Sequence, residues 1–214
     1  MTDLEKQAAA EAAAQLVPDG AKVGLGTGTT VRFLLPALAA RGLELRCAAT
    51  SRATEEAALA LGLDVEPLDD LGTLDIAIDG ADQISPDGWL VKGGGAAHTR
   101  EKIVAAAARR FVVIASSDKL VELLHPPVPL EILAFGARAT LAALAPSELR
   151  DVPPSPDGNL IADYTGEVGD PAALAVRLAS TPGVVGHGLF PPELVSEVLI
   201  GRGADVERLE GGSR

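Results

Sequence analysis

Apolar positions along this chain fall into two alternating rhythms, and the alternation predicts the architecture. Residues 4–16 set Ala and Leu at helical spacing among acids and bases, which predicts an amphipathic helix built from strong helix formers. Pro18-Asp19-Gly20 marks a turn, and the apolar run 21–25 predicts a strand ending in Gly26-Thr27-Gly28-Thr29-Thr30. The beat continues with a helix over 31–40, blemished by Pro36, a strand over 43–50, and a helix over 53–61 that stops at Gly62. A short strand over 63–67 and a buried strand over 74–78 follow, the latter ending at Asp79. A helix over 99–110 then leads into the apolar strand 111–115 and Ser116-Ser117-Asp118-Lys119. Strands alternating with helices predict an α/β fold with a doubly wound, mostly parallel sheet. Ligands of such sheets bind beyond the carboxyl ends of the strands. The polar clusters at 26–30, 79–82 and 116–119 all fall at such ends.

The texture changes after His125-Pro126-Pro127-Val128-Pro129. A helix is expected over 132–144 despite Gly136, then a Pro-rich loop over 151–158 and a strand over 159–163. A helix over 171–179, one glycine-rich strand over 183–190 and a final strand over 197–201 complete the chain. Without a tight strand–helix beat, residues 127–198 read as a second, smaller α+β domain, leaving 1–126 plus 199–214 for the larger one. The terminal Gly-Gly-Ser-Arg is expected to be disordered.

Composition narrows the partners. The 214 residues include 18 basic and 30 acidic side chains, a net charge of -12, which argues against nucleic acid and anionic lipid. An anionic metabolite would need a local positive site within that field. Hydrophobic residues make up 47% and aromatic ones 3%, so the core is aliphatic. Cys47 is the single cysteine, which sets aside an intrachain disulfide and points to a reducing compartment. The first residues lack a signal-peptide core, and no apolar run nears the roughly 20 residues of a membrane span. A soluble cytoplasmic protein is expected.

Candidate chemistry concentrates between residues 76 and 102. Asp79 and Asp82 bracket Gly80 and Ala81 at a strand end, where Asp most often serves turns and helix caps. With Lys92 in the same segment, they read better as groups orienting the hydroxyls and carbonyl of a sugar. Lys92 precedes Gly93, Gly94 and Gly95, whose backbone freedom is costly to order. Their N–H groups can form a nest facing a developing oxyanion, to which Lys92 adds a full positive charge. Glu101 follows on the next helix, and taken alone it would be a solvated residue. Residues 24–30 do not match the dinucleotide fingerprint, which needs glycine where Thr29 stands, nor a P-loop. They can still be a tight turn or a phosphate cradle of hydroxyls and helix N-terminal amides. The histidines lack metal-ligand spacing, and His98 reads as a cap or a solvent-facing residue. Cys47 and Trp89 read as packing.

Together the blocks around Gly26-Thr27-Gly28-Thr29-Thr30, DGADQI at 79–84, KGGGAAHTREK at 92–102 and SSDK at 116–119 resemble the A-type ribose-5-phosphate isomerases. SRATEEAALALGL at 51–63 and GVVGHGLF at 183–190 extend the resemblance almost end to end. It implies a Rossmann-like domain with a smaller α+β domain, and interconversion of D-ribose 5-phosphate and D-ribulose 5-phosphate through a cis-enediol. It implies neither metal nor organic cofactor, and a homodimer or homotetramer. By position, Glu101 takes the catalytic base, and Asp79, Asp82 and Lys92 take the polar places around the reacting atoms. Thr27, Gly28, Thr29, Thr30 and Lys119 take substrate and phosphate binding, and Gly80, Ala81, Gly93, Gly94 and Gly95 line the pocket. Gln83 and His98 depart from the family's usual Glu and apolar residue. Two other readings are a sugar-phosphate sensor and a sugar-phosphate deaminase. The stretch before Gly26 is too short for a helix-turn-helix module, and the Lys92–Glu101 block favours the isomerase.

Overall fold

The apolar runs of the first half of the chain become parallel strands of one sheet. The computed structural model describes residues 2–212. In chain order they form α1 (Thr2–Ala14), β1 (Lys22–Leu25), α2 (Val31–Ala39), β2 (Arg46–Ala49), α3 (Arg52–Ala60), β3 (Asp64–Val65), α4 (Leu68–Leu71) and β4 (Ile76–Gly80). Then come β5 (Gln83–Ile84), β6 (Leu90–Val91), α5 (His98–Ala107), β7 (Phe111–Ser116), β8 (Val128–Ile132), α6 (Ala137–Ala143) and β9 (Ser147–Leu149). The chain continues through β10 (Leu160–Tyr164), α7 (Pro171–Ser180), β11 (Val184–His187), β12 (Leu189–Phe190), β13 (Glu197–Arg202) and β14 (Asp205–Glu210). Two units result. The first runs through Ala81, takes in Arg100–Lys119 and resumes at Pro192; the second holds Asp82–Thr99 and Leu120–Pro191.

The first unit carries a seven-stranded sheet in the order β14-β13-β7-β4-β1-β2-β3. All neighbours are parallel except β13 and β14. Strand order leaves β1 toward β2 on one side and toward β4 on the other, so the topological switch lies between β1 and β4. Val23, Leu25, Ile76, Ile78, Val112 and Ile114 are buried, as strands covered on both faces require. The helix α1 contributes Ala9, Ala10, Ala13 and Ala14, none of them accessible. Small residues let it lie close to the sheet: a Cβ at Gly201 on β13 would stand 1.9 Å from the Glu5 carbonyl oxygen. Pro36 sits inside α2 without ending it, and the Ala40 N–H still donates to the Pro36 carbonyl at 3.0 Å. Cys47 is a core residue of β2, and burial pushes its thiol up to about 12.

The second unit holds a four-stranded sheet, β11-β8-β10-β9, and a three-stranded one, β12-β6-β5. Here several expectations are corrected. The helix expected over 132–144 is only α6, preceded by β8 in the Pro-rich segment. Val128, Leu130 and Ile132 are fully buried at a spacing of two, and Gly136 at φ +73° starts α6 late. The single strand expected over 183–190 is two strands in different sheets, parted at Gly188. A Cβ there would stand 2.2 Å from the Lys92 carbonyl oxygen, so only glycine lets the two backbones meet. The tail expected to be disordered begins with an ordered residue: the Gly211 N–H donates to the Ser196 carbonyl at 3.0 Å. Ser213 and Arg214 lie outside the described residues. Residues 82–99 and 120–126 group with the second unit, and 192–198 with the first.

Candidate active site

At the switch point of the first unit, the turn after β1 meets the end of β4. Asp79 is 3% exposed, and its Oδ1 accepts from the Thr27 N–H at 3.1 Å and the Gly80 N–H at 2.7 Å. Gly26 is required here, since a Cβ would fall 1.9 Å from Asp79 Oδ1 and 2.5 Å from its Cβ. The Thr27 hydroxyl turns the other way, into a chain of hydroxyls. It donates to Ser51 Oγ at 2.7 Å, Ser51 Oγ donates to Thr54 Oγ1 at 3.1 Å, and Thr54 Oγ1 donates to the Gly26 carbonyl at 2.9 Å. Thr50 adds a contact to Thr27 Oγ1 at 2.8 Å. The loop is thus braced from α3, with Gly28 and Thr29 left exposed at the start of α2. No side chain caps that helix, so its N-terminal amides suit an anion.

Glu101 lies in the first turn of α5 and is 3% exposed, not solvated. A carboxylate removed from water to that degree is costly unless its surroundings compensate it. Beside it, burial draws the Lys102 ammonium down to about 7.

Lys119 closes a short turn, Ser117–Lys119, at the end of β7. Its ammonium is 3.6 Å from Asp118, which in turn accepts from the Ser116 hydroxyl. Sequence reasoning missed the brace behind this turn. Glu5 on α1 accepts from the Ser117 N–H at 3.0 Å, the Ser117 hydroxyl at 2.9 Å and the Gly203 N–H at 3.2 Å. The Ser117 N–H, then its hydroxyl, then the Gly203 N–H hold the Glu5 carboxyl below its ordinary value. A lowered folded value makes its share of stability complete above the ordinary 4.5 and lost as pH falls through the folded value. Glu5→Gln should therefore melt below wild type at neutral pH, with the gap narrowing as pH falls below 4.5. Thermal melts across that range check this, and a constant gap would contradict it.

In the second unit, the Asp82 N–H donates to the Val91 carbonyl at 2.8 Å, and Asp82 Oδ2 accepts from the Gly94 N–H at 2.8 Å. Lys92 is 2% exposed; its N–H donates to the Gly188 carbonyl at 2.8 Å, and its ammonium lies 5.4 Å from the Phe190 ring centroid. Gly93 has φ +109°, and a Cβ there would stand 2.7 Å from His98 Nδ1. His98, expected to cap or face solvent, is instead fully buried, its ring filling the space that Gly93 leaves. Gly94 and Gly95 are exposed, and Ala96 adopts φ 58°, a left-handed conformation rare for alanine. The departure at Gln83 is structural: its Nε2 donates to the His125 carbonyl and its Oε1 accepts from the His125 N–H, both at 2.8 Å. Arg150 and Asp163, absent from any sequence motif, reach the same glycine loop: Arg150 donates to the Gly93 carbonyl and pairs with Asp163.

The expected residues thus form two groups. Gly26 to Thr30, Asp79 and Gly80 meet in the first unit, with Glu101 and Lys119 on neighbouring elements of the same unit. Asp82 and residues 92–95 meet in the second. Among the described residues, no three of His, Cys, Asp or Glu cluster to hold a metal ion.

The chain is similar to known proteins over nearly its whole length. The family described as ribose 5-phosphate isomerase A (phosphoriboisomerase A) matches over residues 46–205. Ribose-5-phosphate isomerase A of Caulobacter vibrioides is 45% identical, covering 97% of this chain and 98% of its own. The enzyme of the same name from Methanosarcina acetivorans is 43% identical over 92% of this chain and 90% of its own. Among solved structures, ribose 5-phosphate isomerase A from Methanocaldococcus jannaschii superposes with TM-score 0.91 at 33% identity, covering 97% of this chain and 98% of its own. A D-ribose-5-phosphate isomerase in complex with phospho-erythronic acid superposes with TM-score 0.92 at 31% identity, covering 98% and 99%.

Proposed function

Since the chain belongs to the ribose 5-phosphate isomerase A family, we propose that it interconverts D-ribose 5-phosphate and D-ribulose 5-phosphate, with Glu101 as the base. The observation that carries the residue assignment is the burial of Glu101 on the first turn of α5. A solvated helix residue would not be there.

In the open-chain aldose, the C1 aldehyde lies beside a C2–H. Ionised Glu101 takes the C2 proton, giving a cis-enediol, and returns it to C1, while a proton passes from O2 to O1. The C1 carbonyl becomes a hydroxymethyl group and C2 becomes the ketone, so no electron acceptor is needed. Lys92, the glycine loop at Gly93 to Gly95, whose Gly94 N–H is held by Asp82, and the Asp79 and Asp82 carboxylates stabilise or relay charge at those oxygens, with Gly80 and Ala81 lining the substrate. One positioned base contributes about 10²–10⁴ in rate, and a good oxyanion donor about 10²–10³. Residues 27–30 at the start of α2, with Lys119, hold the phosphate, and that remote grip orients the reacting end. The relative bound to phospho-erythronic acid, a phosphorylated sugar acid, supports a site for phosphorylated short-chain sugars.

The reaction proposed here uses no metal. Ribulose 5-phosphate should form from ribose 5-phosphate at an unchanged rate in a chelator, and activity lost to chelator and restored by a divalent cation would overturn this part. Among the described residues, no helix is long and apolar enough to cross a membrane. We place the protein in the cytoplasm, as a homodimer or homotetramer in the pentose phosphate pathway. Light scattering tests the assembly.

A further inference from the structure

The peptide joining Gly93 to Gly94 is held at both ends. Its N–H donates to Asp82 Oδ2 at 2.8 Å, and its carbonyl accepts from Arg150 Nη1 at 3.1 Å. The same carbonyl accepts from the Ala96 N–H at 3.1 Å, so both of its lone pairs are used. Arg150 is itself gripped by Asp163: Nε donates to Oδ2 at 2.9 Å and Nη2 donates to Oδ1. Two parallel contacts lock the plane of the guanidinium. The pair is 19% and 14% exposed, and so better shielded than a surface ion pair. Sheet register places both partners, for Leu149 pairs with Ala162 and the Arg150 N–H donates to the Ile161 carbonyl at 3.0 Å.

We propose that Arg150 is a positioning residue for the isomerisation, fixing the Asp82 carboxylate through the Gly93–Gly94 peptide. Charges and dipoles alternate along the series: Asp163 carboxylate, Arg150 guanidinium, peptide carbonyl, peptide N–H, Asp82 carboxylate. Each hydrogen bond polarises the next. The peptide needs such a hold, because turning it over uses one torsion of Gly93 and one of Gly94, and glycine torsions are the freest in a chain. Turned over, it would aim its carbonyl oxygen at the Asp82 carboxylate and remove the donor Asp82 uses. Side chains cannot replace that freedom with rigidity, since a Cβ on Gly94 would stand 3.0 Å from Asp82 Oδ1 and one on Gly93 2.8 Å from the Pro129 Cβ. The hold must come from outside the loop, and Arg150 supplies it.

This inference rests on the role given to Asp82 above, and the experiment separates the two. Ribose 5-phosphate turnover is measured for wild type, Asp82→Asn, Arg150→Met and the double variant, at matched folded concentration. Arg150→Met should lower kcat by about 10-fold or more with KM within about threefold, as a misplaced group does. In the Asp82→Asn background the same change should cost almost nothing, because the group it positions is already gone. Arg150→Lys, which keeps the charge without the two-point grip, and Asp163→Asn should fall between; they carry the test if Arg150→Met folds poorly. Equal losses in both backgrounds would show that Arg150 only supports the fold, and overturn the proposal. Unchanged kcat in Arg150→Met beside a slow Asp82→Asn would overturn it while leaving the role of Asp82 intact. If Asp82→Asn turns over like wild type, both fall.

Discussion

Glu101→Gln should lower kcat at least about 10²-fold while KM for ribose 5-phosphate changes little. The amide keeps the shape and helix propensity of the side chain but cannot accept the C2 proton. Glu101→Asp should lose about as much, because one methylene withdraws the carboxylate by about 1 Å, a misplacement worth around 10². The substituted residue is buried, so both variants are compared at matched folded concentration with Glu55→Gln, an exposed residue of α3. Exchange of the C2 hydrogen with solvent deuterium gives the direct readout. Wild-type exchange rates in Glu101→Gln would remove it as the base and move the assignment to Asp79 or Asp82.

Gly26→Ala should nearly abolish activity and destabilise the first unit. The new methyl would stand 1.9 Å from Asp79 Oδ1 and 2.5 Å from Asp79 Cβ. Rotating the carboxylate away is not enough, because the Cβ moves only with the backbone of β4, which is paired on both sides. It would also forfeit the bonds from Thr27 and Gly80. A shift of about 1 Å at a reacting group predicts a loss of around 10² in kcat/KM, and overpacking in a core adds about 1–3 kcal/mol of destabilisation. Gly20→Ala is the kinetic control: at φ +73° alanine there also strains a turn, but nothing lies within 4 Å of the new methyl and the site is untouched. Kinetics of Gly26→Ala within twofold of that control would show that Asp79 is not held where the reaction needs it.

What the sequence made legible was local. Asp79-Gly80-Ala81-Asp82 and Lys92-Gly93-Gly94-Gly95 sit where strand ends and glycine freedom predict, because a strand end and a tight turn are each written in a few adjacent residues. Residues whose position depends on distant pairing were not legible. Arg150 and Asp163 become partners of the glycine loop only through the register of β9 and β10. Glu5 reaches Ser117 only because α1 lies across the end of β7. Proline at 129 hid β8, although Val128, Leu130 and Ile132 carry the period of a strand. His98 looked like a polar residue at a helix start, and the missing side chain at Gly93 is what gives its ring a buried place.

The arrangement of the first helix and the last strands has a consequence for synthesis. The chain emerges from the ribosome with α1 first, yet the surfaces that α1 covers include β13 and β14. The Glu5 carbonyl faces Gly201, and the Glu5 carboxylate takes one of its bonds from Gly203. The first unit therefore keeps an uncovered helix face until β13 and β14 have been made, and long-range contacts of this kind slow folding.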